Sequence, residues 1–128
     1  MATKALTTTI AKKKMLLARA GQQDLPAITQ MAFGSGGIDE GTGYVLEPVN
    51  DQQELKEEIY RKNIDKVEIV SDTQVRYYCT LEENELSGED ISEIALVDAD
   101  GDLVTIKNFM AKGKDGDFQM IFKINDTM

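Results

Sequence analysis

Apolar and polar residues alternate along most of this chain, and at two places the alternation gives way to helical spacing. The clearest extended runs are Ile91–Val97 and Leu103–Phe109, joined by Asp98-Ala99-Asp100-Gly101-Asp102. Branched side chains suit a pleated surface, and an Asp-Gly pair supplies the positive φ of a tight turn, so this stretch predicts a β-hairpin. Ile28–Phe33 reads as a strand that leaves into the turn Gly34-Ser35-Gly36-Gly37. Ile64–Ser71 and Val75–Glu82 predict a second hairpin around Ser71-Asp72-Thr73, with Val67 and Ile69 facing inward. After a polar link over 83–90 and a charged turn over 112–117, Phe118–Ile124 is the expected closing strand.

Two helices are expected. Thr7, Thr8 and Thr9 resist helix through their branched side chains, so Ala2–Thr8 is read as a short strand. A helix follows over Thr9–Ala20, capped by Thr8 or Thr9 and stopped at Gly21. Ile10 and Leu17 share its apolar face, with Leu6 one turn earlier; Lys12, Lys13 and Lys14 cannot all point into a core, so it is a surface helix. Residues 38–50 hold Gly41, Gly43 and Pro48 without a period and are read as loop. Asp51 then opens a second predicted helix to Lys62, with Glu54 completing a capping box, Leu55 and Ile59 on one stripe, and Glu58 paired with Lys62. Two helices with hairpin-linked strands predict an α+β fold: an antiparallel or mixed sheet with one N-terminal and one central helix packed on it. Residues 1–128 fit a single domain.

Charge changes the picture. The net charge is −9, yet Lys4, Lys12, Lys13, Lys14 and Arg19 stand in the first twenty residues without an acidic neighbour. Positions 21–128 hold nine basic and all 23 acidic residues, a local net of −14. An acidic body repels phosphate backbones and argues against nucleic acid as a partner. Three readings of the basic start stay open: a nucleic-acid contact, a solvated helix face, or a segment that docks on an acidic surface, its own or a neighbour's. No stretch has the apolar length of a membrane span or a signal peptide, so a soluble protein made in the cytoplasm and no membrane partner are expected.

Candidate chemistry is sparse. The chain has no His and one Cys, Cys79, which argues against nucleophilic triads and zinc sites and leaves Cys79 as a small buried hydrophobe. Asp98, Asp100 and Asp102 resemble a calcium loop, but an EF-hand needs Gly at its sixth position and a bidentate Glu at its twelfth. Here the Gly stands fourth and Phe109 twelfth, so the expectation is a turn with solvated carboxylates and no metal. The glycine run 34–37 lacks the helix and the Lys-Ser/Thr pair of a phosphate loop, and is read as a turn where a partner can approach the backbone. The carboxylates of 82–90 read as a solvated link rather than a catalytic pair, and Met15, Met31, Met110 and Met120 as core filler. No enzyme activity and no cofactor are expected.

The hairpin also carries a likeness. From Ser92-Glu93-Ile94-Ala95-Leu96-Val97-Asp98 through Phe109 it resembles the recurring "REIGL(Y/F)DDDGxLIAIGxF" hairpin of the N-terminal domain of phage tail-collar fibre proteins. Ala27-Ile28-Thr29-Gln30-Met31-Ala32-Phe33-Gly34-Ser35-Gly36 is similar to that family's "INLTQMAVGDG". Leu55, Glu58, Tyr60, Arg61, Ile64 and Val67 follow its "LxxExYRxxIxxV", and the threonines and helix of 8–20 stand where the family begins its own helix. Ser87–Glu93 replaces the "GGFxIRE" turn, with Asp90 for the usual aromatic and Ser92 for the Arg. A shorter 111–116 replaces the "YKP" loop.

The resemblance implies a structural component of a phage tail or phage-tail-like particle, such as a contractile bacteriocin, that attaches fibre or fibre-like parts to the baseplate. A tail or fibre assembly factor that leaves before maturation is the alternative. Family fibres continue into a long shaft, and this chain, ending at Met128, is expected to be the attachment domain alone. The implied partners are baseplate and fibre proteins in repeated copies of a symmetric assembly, in a virion tail made in the bacterial cytoplasm. The partner-binding candidates are Lys12, Lys13 and Lys14 with Gly34, Ser35, Gly36 and Gly37.

Overall fold

The computed structural model describes residues 3–128. The chain runs β1 (Leu6–Thr7), α1 (Thr9–Arg19), β2 (Ile28–Gly34), β3 (Glu58–Asn63), β4 (Lys66–Ser71), β5 (Gln74–Leu81), β6 (Asp90–Asp98), β7 (Leu103–Gly113) and β8 (Met120–Thr127). One sheet has the order β1-β7-β6-β2-β3 and a second the order β4-β5-β8, with every ladder antiparallel. The expected α+β fold is therefore corrected: the fold is mostly β, in two sheets, with one short helix. Of the strand expected from Ala2, that first residue lies outside the described ones, and β1 holds only Leu6 and Thr7.

The five-stranded sheet is covered on both faces. Met31, Phe33, Ile94, Leu96 and Phe109 meet Cys79, Leu81, Phe122 and Ile124 of the other sheet in the main core. Phe33 and Phe122 meet edge to face, centroids 5.3 Å apart. On the opposite face Ala32, Ala95, Val97, Leu103 and Ile106 form a second cluster with Leu55, which comes from the long connection between β2 and β3. β6, central and buried from Ile91 to Asp98, is read correctly as part of a hairpin with β7. Its near-unbroken burial is that of a strand sandwiched between two layers.

The expected helix over Asp51–Lys62 does not form. Its cap is worth about 1 kcal/mol and its pairs a few tenths each, whereas Glu58–Asn63 gains a ladder against β2 from Gln30 to Gly34. Extension sends Tyr60 to the main core, while Leu55 just upstream anchors the second cluster; one helical stripe could not serve both faces. The main-chain N–H groups of Lys56 and Glu57, which a helix would commit to carbonyls, donate instead to the buried Glu93 carboxyl at 2.9 and 2.8 Å.

α1 does form, with Thr8 as N-cap accepting from the Ala11 N–H at 3.2 Å. Its buried positions are Ala11 and Lys14, while Ile10, Leu17 and Leu6 are half-buried, so the expected apolar face is rotated. The second hairpin forms as β4 and β5, and Val67 and Ile69 pair with Tyr77 and Val75 on the core-side face. They nevertheless stay 54% and 79% exposed, because β4 is an edge strand with nothing over it. β8 begins two residues later than expected and runs on to Thr127.

Candidate functional site

Two knots of polar side chains gather the residues that the sequence singled out, apart from Lys12 and Lys13. The first surrounds Lys14. Asp98 ends β6, and its Oδ1 accepts the N–H groups of Asp100 and Asp102 at 3.0 and 3.1 Å, which winds the turn around its own carboxylate. Gly101 takes the positive φ of +89° that the Asp-Gly pair foretold. The other oxygen, Oδ2, accepts from Lys14 Nζ at 2.7 Å, and Asp100 and Asp102 accept from the same ammonium at 3.1 and 2.7 Å. Burial alone would lower the Lys14 pKa, but hydrogen bonds to Asp102, Asp98 and Asp100 outweigh it and hold the ammonium above its ordinary range.

The expectation of solvated carboxylates is corrected at Asp98, which is buried; Asp100 stays exposed and Asp102 half-buried, yet all three point at one lysine. Lysine supplies, from within the chain, the positive charge that such a cluster would otherwise take from an ion. Of the readings open for the basic start, Lys14 realises docking on the chain's own acidic surface, while Lys12 and Lys13 are exposed. Thr8 adds a second tie, its hydroxyl donating to the Leu103 carbonyl at 2.7 Å and its N–H to that of Val104 at 2.9 Å.

The second knot surrounds Glu93, fully buried in β6. Its carboxyl accepts main-chain N–H groups from Gly36, Lys56 and Glu57 at 2.8, 2.9 and 2.8 Å. Ser92 beside it accepts the Gly37 N–H at 2.8 Å. The glycine run thus forms a wall pressed onto β6. A Cβ at Gly37 would stand 2.1 Å from the Ser92 carbonyl oxygen, a clash with main chain that only glycine avoids. Gly34 and Gly37 are buried, and Ser35 and Gly36 half-buried; Ser35 donates its hydroxyl to Glu57 at 2.6 Å.

The acidic link also departs from its solvated reading at one residue. Glu85 accepts from Lys62 Nζ at 2.7 Å, from the Tyr60 hydroxyl and from the Glu82 N–H. Burial would raise its pKa, but the bonds from Lys62, Tyr60 and Glu82 hold it down at about 2. Cys79 is buried as expected, and burial pushes its thiol up to about 12, far from a reactive thiolate.

These knots tie segments together and present no paired acid and base to a cleft. The sequence singled out Lys14 and the glycines but not the bonds they make inside the fold, and it gave no signal for Glu93 beyond a charge in the middle of an apolar strand. No helix among the described residues is long and apolar enough to cross a membrane. Compared with known families, the chain matches "Phage tail-collar fibre protein, N-terminal" over residues 1–120. No curated protein and no solved structure matches it.

Proposed function

This chain belongs to the phage tail-collar fibre N-terminal family, and from that premise we propose that it fastens fibre or fibre-like parts to the baseplate of a phage tail or a tail-derived particle. Membership brings with it a structural role in a phage tail fibre, and the proposed attachment is to the baseplate. The observation that carries the reading is the extent of the match, 1–120 of 128 residues. The polar residues that could have suggested catalysis support it too, since Lys14, Asp98 and Glu93 hold elements of the fold together. A domain of this kind works by presenting rigid outer surfaces to neighbours, in repeated copies where the particle is symmetric.

The exposed Lys12 and Lys13 are candidates for that contact, together with Ser35 at the rim of the glycine wall. Lys14, Gly34 and Gly37 contribute by shaping the surface from below. Quantitative mass spectrometry of purified tail particles tests the reading. A fixed ratio of this chain to a baseplate protein is the expected result. Abundance in the lysate with absence from particles would replace it with an assembly factor that departs before maturation. Alanine at Lys12 and Lys13 should reduce incorporation; unchanged incorporation removes α1 from the docking face.

A further inference from the structure

A groove between the two sheets reverses the charge of the molecule. It has a volume of about 360 Å³, and Lys107 and Lys112 of β7 and Lys123 of β8 line it without a single carboxylate. In a chain with 23 acidic and 14 basic residues, such a lining is a local inversion. Past Lys107 the surface continues to Lys4, Asn125 and Thr127, again with no acidic residue.

The groove also exposes unused main chain. β8 pairs only with β5, and among the described residues no other segment bonds to its outer edge. The facing edge of β7 is covered by β1 at Thr105 and Ile106 and by Thr3 at Asn108, and among the described residues no segment bonds to it beyond. There three residues, Phe109, Met110 and Ala111, stand opposite the single Ser92 of β6, a bulge that re-aims side chains. Met110, expected in the core, is instead 49% exposed in the groove, and Ile121 across from it is 62% exposed.

We propose that this groove receives an extended, acidic segment of another tail protein. The segment adds as a strand to the open edge of β8, places apolar side chains between Met110 and Ile121, and sets carboxylates against Lys107, Lys112 and Lys123. The inference rests on the tail-component reading and gives it a docking face. An acidic peptide fits better than the other polyanion, nucleic acid. Only a peptide can complete the ladder of an open strand edge, and the chain's overall negative charge repels a long phosphate backbone while a short segment meets only the local lysines.

The test places a photo-crosslinking benzoylphenylalanine at Met110, at Ile121 or, on the opposite sheet edge, at Ile69, in the full chain within phage-producing cells. Purified particles are first assayed for the chain itself; its absence there ends the tail-component reading and this proposal with it. With the chain present, cross-links from 110 and 121 to a net-acidic stretch of a different particle protein support the proposal. Cross-links to a second copy of this chain, to nucleic acid or only from 69, or none at all, overturn it and leave the tail-component reading standing. The triple variant K107E/K112E/K123E should lower incorporation by about tenfold or more while its melting temperature stays that of the parent chain. Unchanged incorporation of that variant overturns the proposal as well.

Discussion

One strand from each sheet, β6 and β4, is built from similar β-favouring residues, and the two finish in opposite states. β6, at the centre of the five-stranded sheet, is buried from Ile91 to Asp98, with the second sheet over one face and the connection carrying Leu55 over the other. β4, the edge of the three-stranded sheet, has no fully buried residue although Val67, Ile69 and Val70 are as apolar as their counterparts. What covers a strand decides its burial, and its own composition only permits it. The covered strands of both sheets share the main core, and the five-stranded sheet alone is packed on both faces. The three-stranded sheet buries one face in that core and leaves its β4 edge uncovered.

The sharpest way to break this comparison is at Glu93. Alanine there leaves three main-chain N–H groups of the connections packed on β6 without an acceptor, and the expected loss is about 4 kcal/mol by urea unfolding. Glutamine, which keeps one acceptor oxygen, should lose about half of that. A cost at the level of a surface substitution would mean that the covered sheet does not dominate.

Lys14→Met comes next. It strips the buried Asp98 of its cation, and about 2 kcal/mol of destabilisation is expected. Adding Asp98→Asn should recover part of the loss, so the double-mutant cycle reads a coupling. Additive losses would show that the lysine acts by packing alone.

A smaller effect is expected in acid. The Glu85 pKa is lowered in the folded chain from 4.5 to about 2, so its contribution is complete above 4.5 and drains as pH falls through that window. Glu85→Gln should therefore cost about 1 kcal/mol at neutral pH and flatten the acid limb of the stability profile. A parallel profile would place the acid sensitivity elsewhere.

Ile69→Thr should be the mildest, within about 0.5 kcal/mol of the parent chain by thermal unfolding. Ile69 is apolar, correctly oriented and uncovered. A loss as large as at Glu93 would erase the distinction between the sheets.

Much of the fold was legible along the chain, and the failures share one cause. The β6–β7 hairpin, the β4–β5 hairpin and the capped first helix depend on contacts within a few residues or a single turn, and those signals were read correctly. Asp51–Lys62 carried equally good local signals for a helix and became a turn and β3, because β2 offered a ladder that no local pair could match. At the candidate site, Lys12–Lys14 were visible as a cluster, but which of them turns inward depends on a hairpin turn some 84 residues away.

The sequence by itself determined the family, through ordered motifs within the 1–120 match, and the strand and turn chemistry of its hairpins, since these depend on neighbours in the chain. Only the tertiary structure decided that Glu93 closes the glycine wall, that three aspartates share one lysine, and that Lys107, Lys112 and Lys123 line one groove. Each of those groups joins segments far apart in sequence, and burial and charge act through space, so no local pattern could have announced them.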